Sequence, residues 1–317
     1  MIAAEILHYG AAGLALCLSA IGCGIGLGIA GQGMIGSSLR QPMAVGPIFN
    51  AMVVGMGMIE GGAIITLVAT LLVLFGKPVD LTEAQAFAAA GGVLAVGVVS
   101  MIASIASGFI AAATAEAIAR VPIFSGKIST FMIITQSLIE APIIFALIVN
   151  LMIRMHITPA MSWDLALALF AASCCIMVGC IGPSVGQSIF AHAAVRAVGE
   201  NYKAYNKLFT FALVNYAFIE TAVIFCLIVA LCIIFILPGA AISSIAAMRA
   251  CAAALTISLG SFGGAVALGL VGKKSCEGIA LDATGYSAIA RITLISGVFI
   301  ESTIIYAFLV ALLLINR

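Results

Sequence analysis

Four glutamates recur at a nearly constant interval in this chain. Each follows an isoleucine, and they are Glu60, Glu140, Glu220 and Glu301. A charge at the bilayer centre costs about 2.5 to more than 10 kcal/mol, so an intramembrane acid is expected to be protonated, partnered or bound to a cation. No Lys or Arg shares these apolar stretches, which predicts an ion carrier over a merely hydrogen-bonded carboxyl. The four glutamates are therefore the candidate ion-binding residues.

Composition identifies the environment of these acids. The 317 residues are 64% hydrophobic and 8% charged, with a mean hydropathy of +1.30, as expected for a polytopic membrane protein. A spanning helix needs about 20 apolar residues, and the chain contains eight segments of that length. The net charge of +1 and the lack of a basic tail argue against nucleic-acid binding. Nine cysteines without a C-x-x-C pair indicate packing residues.

A second pattern keeps the same period. Upstream of each glutamate lies a run in which nearly every second residue is Gly, Ala or Ser. Each unit therefore reads as a small-residue helix, a short turn and a glutamate helix. The predicted fold is an all-α membrane protein of four tandem hairpins, spanning 1–78, 79–158, 159–239 and 240–317. The candidate packing residues of the small-residue helices are Gly22, Gly24, Gly26, Gly28, Gly182, Gly186, Gly263 and Gly269.

The spacing of the small residues predicts how the hairpins assemble. At about 100° per residue, every second position falls alternately on two nearly opposite stripes. Small stripes let helices approach closely in lipid, and two stripes give each helix a neighbour on both sides. This favours a ring with inner small-residue helices and outer glutamate helices; the alternative is a compact bundle.

Basic residues predict the orientation in the membrane. Of the 13 Lys and Arg residues, most lie near the turns within hairpins. Cytoplasmic segments carry the excess of Lys and Arg, so the turns are expected on the cytoplasmic side.

These features resemble the c subunit of F-type ATP synthases, the proteolipid of the rotor ring. The resemblance covers essentially the whole chain, four times over. It rests on the small-residue helix, the "RQP" turn at 40–42 and a fixed spacing from turn arginine to acid, which is the same from Arg40 to Glu60 as from Arg120 to Glu140. The stretches "IGPSVGQSIF" at 181–190 and "FIESTIIYAFLVALLL" at 299–314 are also close to motifs of that family.

The resemblance implies a membrane rotor component that is not an enzyme on its own and carries no cofactor. Its expected partners are copies of itself in a ring, a stator subunit with an intramembrane arginine, and a central stalk. The expected location is an energy-coupling membrane, the bacterial inner membrane. Related V-type proteolipids are often fused pairs that have lost an acid, whereas this chain keeps four. The alternatives are a sodium-coupled ring, an ATP-driven V-type pump and a repeat-built proton-coupled transporter.

In the resembled family, sodium-binding members carry a Gln on the first helix and a Ser or Thr directly after the acid. Within a repeat, only the third has both, Gln187 and Thr221 around Glu220. Because all carboxyls of a ring must carry the same ion, the predicted ion is the proton, with Na⁺ possible only at this third site. The other candidate auxiliary residues are Ser107, Ser302 and Gln136.

The turns are predicted to contact the stalk unequally. Only the first has the whole "RQP" motif, and the second keeps its Arg and Pro. The candidate stalk-contact residues are Arg40, Gln41, Pro42, Arg120 and Pro122.

Overall fold

The computed structural model describes residues 2–76, 81–159, 161–236 and 242–316. Within these ranges the chain is almost entirely helical and forms eight helical spans long and apolar enough to cross a membrane. The predicted all-α fold of four hairpins is confirmed. The helices are α1 (Ile2–Arg40), α2 (Val45–Leu74), α3 (Glu83–Arg120), α4 (Ser125–Met155), α5 (Trp163–Gly179), α6 (Ile181–Glu200), α7 (Tyr205–Ile236), α8 (Ser244–Leu281) and α9 (Tyr286–Asn316).

Of the predicted hairpin limits, the one at 158/159 lies between α4 and α5, and those at 78/79 and 239/240 lie outside the described residues. Each turn within a hairpin is a single 3₁₀ turn, at Pro42–Ala44, Pro122–Phe124, Tyr202–Ala204 and Ala283–Gly285. In the first two, proline occupies the opening position, where its missing N–H is not needed. In the fourth turn, the Asp282 carboxylate accepts hydrogen bonds from the hydroxyl and the backbone N–H of Thr284. These hydrogen bonds lower the pKa of Asp282.

The spans pack as two layers. The first-helix layer runs in the order α1, α3, α5 with α6, and α8, and the second-helix layer runs α2, α4, α7, α9. Each of α2, α4 and α7 also packs against the first helix of the following hairpin. Consecutive hairpins are therefore neighbours in both layers, and within the described residues α1 and α8 make no comparable packing contact with each other. The four hairpins form a row with two open ends.

The fifth span is interrupted at Cys180, a break that the repeat pattern did not predict. Pro183 has no N–H to donate to the carbonyl of Gly179, one helical turn earlier. The Ser261 hydroxyl on α8 is shared between that carbonyl, at 3.4 Å, and the carbonyl of Ser258, at 3.0 Å. A neighbouring helix thus supplies a partner for the carbonyl that proline leaves free.

Small residues bring the first helices into backbone contact. A Cβ added at Gly22 would overlap the backbone of Met101, and one added at Gly26 would overlap the Ser104 carbonyl. One small-residue stripe of α1 thus meets the opposite stripe of α3. The same contacts recur between α6 and α8, where Gly182 meets Phe262, Gly186 meets Ala265 and Gly269 meets Gly186. Three other predicted packing glycines are Gly24, Gly28 and Gly263. A Cβ added at any of them would have no atom of the described chain within 4 Å.

Substitution of Gly186→Leu is expected to unfold this part of the row. The new side chain must displace the backbone of α8 at Ala265, because an added Cβ already overlaps its carbonyl oxygen. Overpacking of this kind typically costs about 1–3 kcal/mol. The thermal unfolding midpoint of the purified chain in detergent measures the loss. Gly57→Leu is the matched control, since Gly57 is exposed and an added Cβ meets nothing within 4 Å; equal midpoints for the two variants would contradict this packing.

Candidate functional site

The Glu140 carboxyl lies where three helices meet. The Ser107 hydroxyl on α3 donates to Glu140 Oε1 at 3.4 Å. From the other side, a Cβ added at Gly61 on α2 would lie 3.6 Å from Glu140 Oε2. Glu140 is partly buried between these two neighbours. One neighbour comes from its own hairpin and the other from the preceding hairpin.

Gln136 joins the same three helices one turn before Glu140. Its Nε2 donates to the carbonyl oxygens of Gly55, at 3.2 Å, and Ser107, at 3.3 Å. These bonds direct the amide to the backbone, and the described residues contain no hydrogen bond from Gln136 to Glu140. The side chain is fully buried. Its observed contribution is to hold α2, α3 and α4 together beneath the carboxyl.

The Glu301 carboxyl lies in a groove between α7 and α9. The hydroxyl of Ser302 donates to the Phe299 carbonyl at 2.7 Å, and that of Thr221 donates to the Phe218 carbonyl at 2.7 Å. Both hydroxyls are therefore bonded to their own helices, with their oxygen lone pairs still available. The other residues lining the groove with Glu301 all belong to α7 and are Leu213, Val214, Ala217, Phe218 and Thr221.

In two repeats the residue after the glutamate lies near the glutamate of the next repeat. Gly61 adjoins Glu140, and Thr221 shares a groove with Glu301. The repeat pattern assigns Thr221, with Gln187, to the site of Glu220. The structure adds that Thr221 also lines the groove of Glu301, because consecutive glutamate helices are neighbours. By the same register, Ala141 is the residue expected beside Glu220 from the preceding repeat.

Gln187 is the buried polar residue on the first-helix side of the third site. It is fully buried, and neither its Nε2 nor its Oε1 has a hydrogen-bond partner in the described part of the chain. It occupies the same place in its repeat, relative to the glutamate, as Ser107 does in the second. Among the described residues no hydrogen bond joins Gln187 to Glu220.

Glu60 has the most exposed surroundings of the four carboxyls. It lies on α2, at the open end of the second-helix layer, where no earlier hairpin of the described chain adjoins it. Its neighbours in sequence, Gly61 and Gly62, offer no side-chain oxygen. Leu27 stands at the position that Ser107 occupies in the second repeat. The site at Glu60 is thus formed on one side only.

Charged residues near the turns link the second and third hairpins. Arg120 Nη1 lies 2.9 Å from Glu200 Oε1, and Arg196 Nε lies 3.8 Å from Glu116 Oε2. Both pairs are partly exposed, so each contributes at most about 1 kcal/mol. Glu200 occupies the position that Arg40 and Arg120 hold in the first two turns, and its partner is the arginine of the preceding turn. Arg40, Gln41 and Arg120 line one groove together, and the prolines of the first two turns, Pro42 and Pro122, open the 3₁₀ segments.

The architecture defines a class of protein: an integral membrane proteolipid made of tandem helical hairpins, with an acidic residue midway along each second helix. A family model described as the C subunit of ATP synthase matches residues 10–73, 90–153, 170–233 and 251–314. The four matches correspond to the four hairpins and together cover most of the chain. The chain belongs to this ATP synthase family, and it is accordingly a membrane rotor component that is not catalytic by itself.

Bacterial relatives are the length of one hairpin. The ATP synthase c subunit of Syntrophobacter fumaroxidans is 38% identical over 81 residues, which is 26% of this chain and 89% of the relative. The proteins of the same name from Citrifermentans bemidjiense and Geobacter sulfurreducens are each 41% identical over 68 residues, 22% of this chain and 75% of the relative. This chain therefore corresponds to several such subunits joined in tandem.

Proposed function

We propose that this chain is the proton-translocating rotor subunit of a rotary ATP synthase, with Glu60, Glu140, Glu220 and Glu301 each carrying one proton. One observation supports the proposal above all. Each of the four family-matched hairpins retains a mid-helix carboxyl, on the layer away from the closely packed small-residue helices. A protonated carboxyl can face lipid at low cost, and it can release its proton where water or a cationic partner is available.

The open ends of the row support assembly with further copies. Gly24 and Gly28 on α1 are equivalent to residues that pack against the preceding hairpin elsewhere in the chain, yet nothing lies within 4 Å of a Cβ built on either. At the other end of the row, a Cβ built on Gly263 of α8 likewise has no atom of the described chain within 4 Å. The α8 end of one copy is therefore complementary to the α1 end of another. Repetition of this contact closes a ring and places Ser302 of the preceding copy beside Glu60.

The composition of the sites supports the proton as the ion. Hard cations require several oxygen ligands. Across the repeats, each glutamate acquires at most one further oxygen-bearing side chain at the two auxiliary positions. One of these positions is on the first helix and the other is on the preceding second helix. The residues there are Leu27 and a copy's Ser302 for Glu60, Ser107 and Gly61 for Glu140, Gln187 and Ala141 for Glu220, and Leu268 and Thr221 for Glu301. A proton needs no larger set, and sodium at Gln187, Glu220 and Thr221 would draw on residues of two different sites.

The remaining partners follow from the family. We infer a stator subunit whose intramembrane arginine faces each carboxyl in turn, and a central stalk on the turn side at Arg40, Gln41, Pro42, Arg120 and Pro122. Because the chain retains all four acids, each turn of the ring moves more charge, which favours ATP synthesis over ion pumping. Moving one charge across about 100 mV yields about 2.3 kcal/mol. The bacterial relatives support the inner membrane as the location.

Carbodiimide labelling of the purified ring tests both the sites and the ion. The reagent modifies protonated carboxyls, so modification of the four glutamates is expected to decrease as the pH is raised and to be unaffected by Na⁺. Peptide mass spectrometry resolves the four positions, and the turn residue Glu200 serves as an internal control for exposed carboxyls. Protection of all four glutamates by Na⁺ would overturn the proton assignment, and no modification at any of them would overturn the rotor proposal.

A further inference from the structure

A groove of about 450 Å³ lies between α3 and α6. Its described lining residues all belong to first helices, to α3, α6 and α8, so it lies on the face of the first-helix layer that points away from the second helices. Its volume is within the range of small-molecule binding sites, about 300–1,000 Å³. Most of the lining side chains are apolar, and the largest of these are Ile102, Ile105, Phe109, Val185 and Ile189.

Two hydrogen bonds between α3 and α6 close the floor of this groove. The Ser188 hydroxyl donates to the Ala106 carbonyl at 3.4 Å, and His192 Nδ1 donates to the Phe109 carbonyl at 3.2 Å. Since a carbonyl oxygen can only accept, Nδ1 carries a proton, and Nε2 is the ring nitrogen left for a further partner. His192 thus closes the groove with one nitrogen and offers it the other.

Two basic side chains, His192 and Lys273, line the same end of the groove. They occupy the same position relative to the glutamate in the third and fourth repeats, and α6 packs against α8. The first two repeats have the uncharged Gln32 and Ala112 there. No acidic side chain is among the described residues that line the groove. The groove is therefore complementary to a ligand with an anionic head and an apolar body, and it occurs once per chain.

Lys273 stands at the boundary between hydrocarbon and headgroups on the turn side. On α8 no charged residue lies between Arg249 and Lys273, a length of about 36 Å at about 1.5 Å per residue. The hydrocarbon core of a bilayer is about 30 Å thick, and long basic side chains near its edge extend to the interface. From Ala112, the second-repeat equivalent of Lys273, the groove continues to Ile102, about 15 Å along the helix. This is the depth of one leaflet.

We propose that the α3–α6 groove binds one anionic phospholipid of the turn-side leaflet. Its phosphate accepts hydrogen bonds from Lys273 Nζ and from protonated His192 Nε2, and one acyl chain lies along the apolar side chains of α3 and α6. Basic pockets between membrane helices bind anionic headgroups in this way. The lipid contacts α3, α6 and α8, so it links three consecutive hairpins. The inference does not depend on which ion the glutamates carry.

Native mass spectrometry of the purified protein tests the preference for an anionic lipid. The probes are phosphatidylglycerol and phosphatidylcholine with the same acyl chains, added to delipidated protein in detergent. One phosphatidylglycerol per chain is expected to bind at least about tenfold more tightly than phosphatidylcholine, and Lys273→Gln is expected to lose this preference, because a hydrogen bond to a charged group contributes about that factor.

Lys274→Gln is the matched control for this measurement. Lys274 adjoins Lys273 in sequence, but its Nζ donates to Glu277 Oε2 at 3.0 Å and it does not line the groove. The preference for phosphatidylglycerol should therefore persist in Lys274→Gln. Equal affinity of the unmodified protein for the two lipids would overturn the proposal, and so would an equal loss of preference in the two variants.

Cryo-electron microscopy in nanodiscs that contain phosphatidylglycerol tests the position of the lipid. Acyl-chain density is expected along the α3–α6 groove, with headgroup density beside Lys273 and His192. In Lys273→Gln the headgroup density should disappear while the helices keep their positions. An empty groove in the unmodified protein, or one filled by detergent or polypeptide, would overturn the lipid site. Carbodiimide labelling of the four glutamates does not involve this groove, so such a result would leave the rotor proposal standing.

Discussion

ATP synthesis driven by the ion gradient is expected to stop when Glu220 is replaced by glutamine. The amide has nearly the shape of the protonated acid, so the chain still folds, but it has no proton to release. In the proposed ring, every site passes the proposed stator arginine in turn. Once per chain, that arginine would meet a neutral side chain instead of a carboxyl. Because an uncompensated charge at the bilayer centre costs at least about 2.5 kcal/mol, synthesis should fall roughly 70-fold or more.

ATP synthesis in reconstituted vesicles under an imposed gradient measures this effect. Glu220→Asp is the conservative control, since it retains a titratable carboxyl and should keep part of the activity. Glu200→Gln controls for loss of an acid outside the membrane. It removes only the partly exposed ion pair with Arg120, worth at most about 1 kcal/mol. Synthesis at the unmodified rate by Glu220→Gln would mean that the third hairpin is not part of the ion path.

The spans and their pairing could be predicted because they depend on local properties. Length and apolar composition determine whether a segment can cross a bilayer, and the constant spacing of the four glutamates identifies the hairpin as the repeated unit. The small-residue stripes could be assigned to two faces because helical geometry fixes the direction of every side chain. Gly22 and Gly26, on one such face, indeed approach the backbone of the next first helix.

Contacts between repeats were beyond the sequence pattern. A repeat period relates equivalent residues but does not show which neighbouring helix they face. The period therefore assigns Thr221 to the site of Glu220, although Thr221 also lines the groove of Glu301. The interruption at Cys180 depends on a carbonyl partner from α8, which no local pattern encodes. Gln136 could equally have bonded a carboxyl or the backbone, and only the positions of Gly55 and Ser107 decide between them.

Ring assembly is expected to fail in Gly28→Leu while the single chain remains folded. Gly28 is the first-repeat equivalent of Gly108, where an added Cβ would overlap the backbone of Gly26 on the preceding hairpin. Within the chain, however, nothing lies within 4 Å of a Cβ at Gly28. A leucine there costs nothing until a second copy approaches, and it then prevents the close backbone contact on which helix association in lipid depends.

Native mass spectrometry of the detergent-extracted protein separates closed rings from single chains, and thermal unfolding gives the midpoint of each variant. Gly28→Leu should yield single chains with an unchanged unfolding midpoint, Gly186→Leu should lower the midpoint of the chain itself, and Gly57→Leu should leave both ring and chain intact. Closed rings of Gly28→Leu would show that α1 does not form the contact between copies. The same result would remove the reason for placing Ser302 of one copy beside Glu60 of the next. The assembly of the ring and the completion of its most exposed ion site are thus tested by one residue.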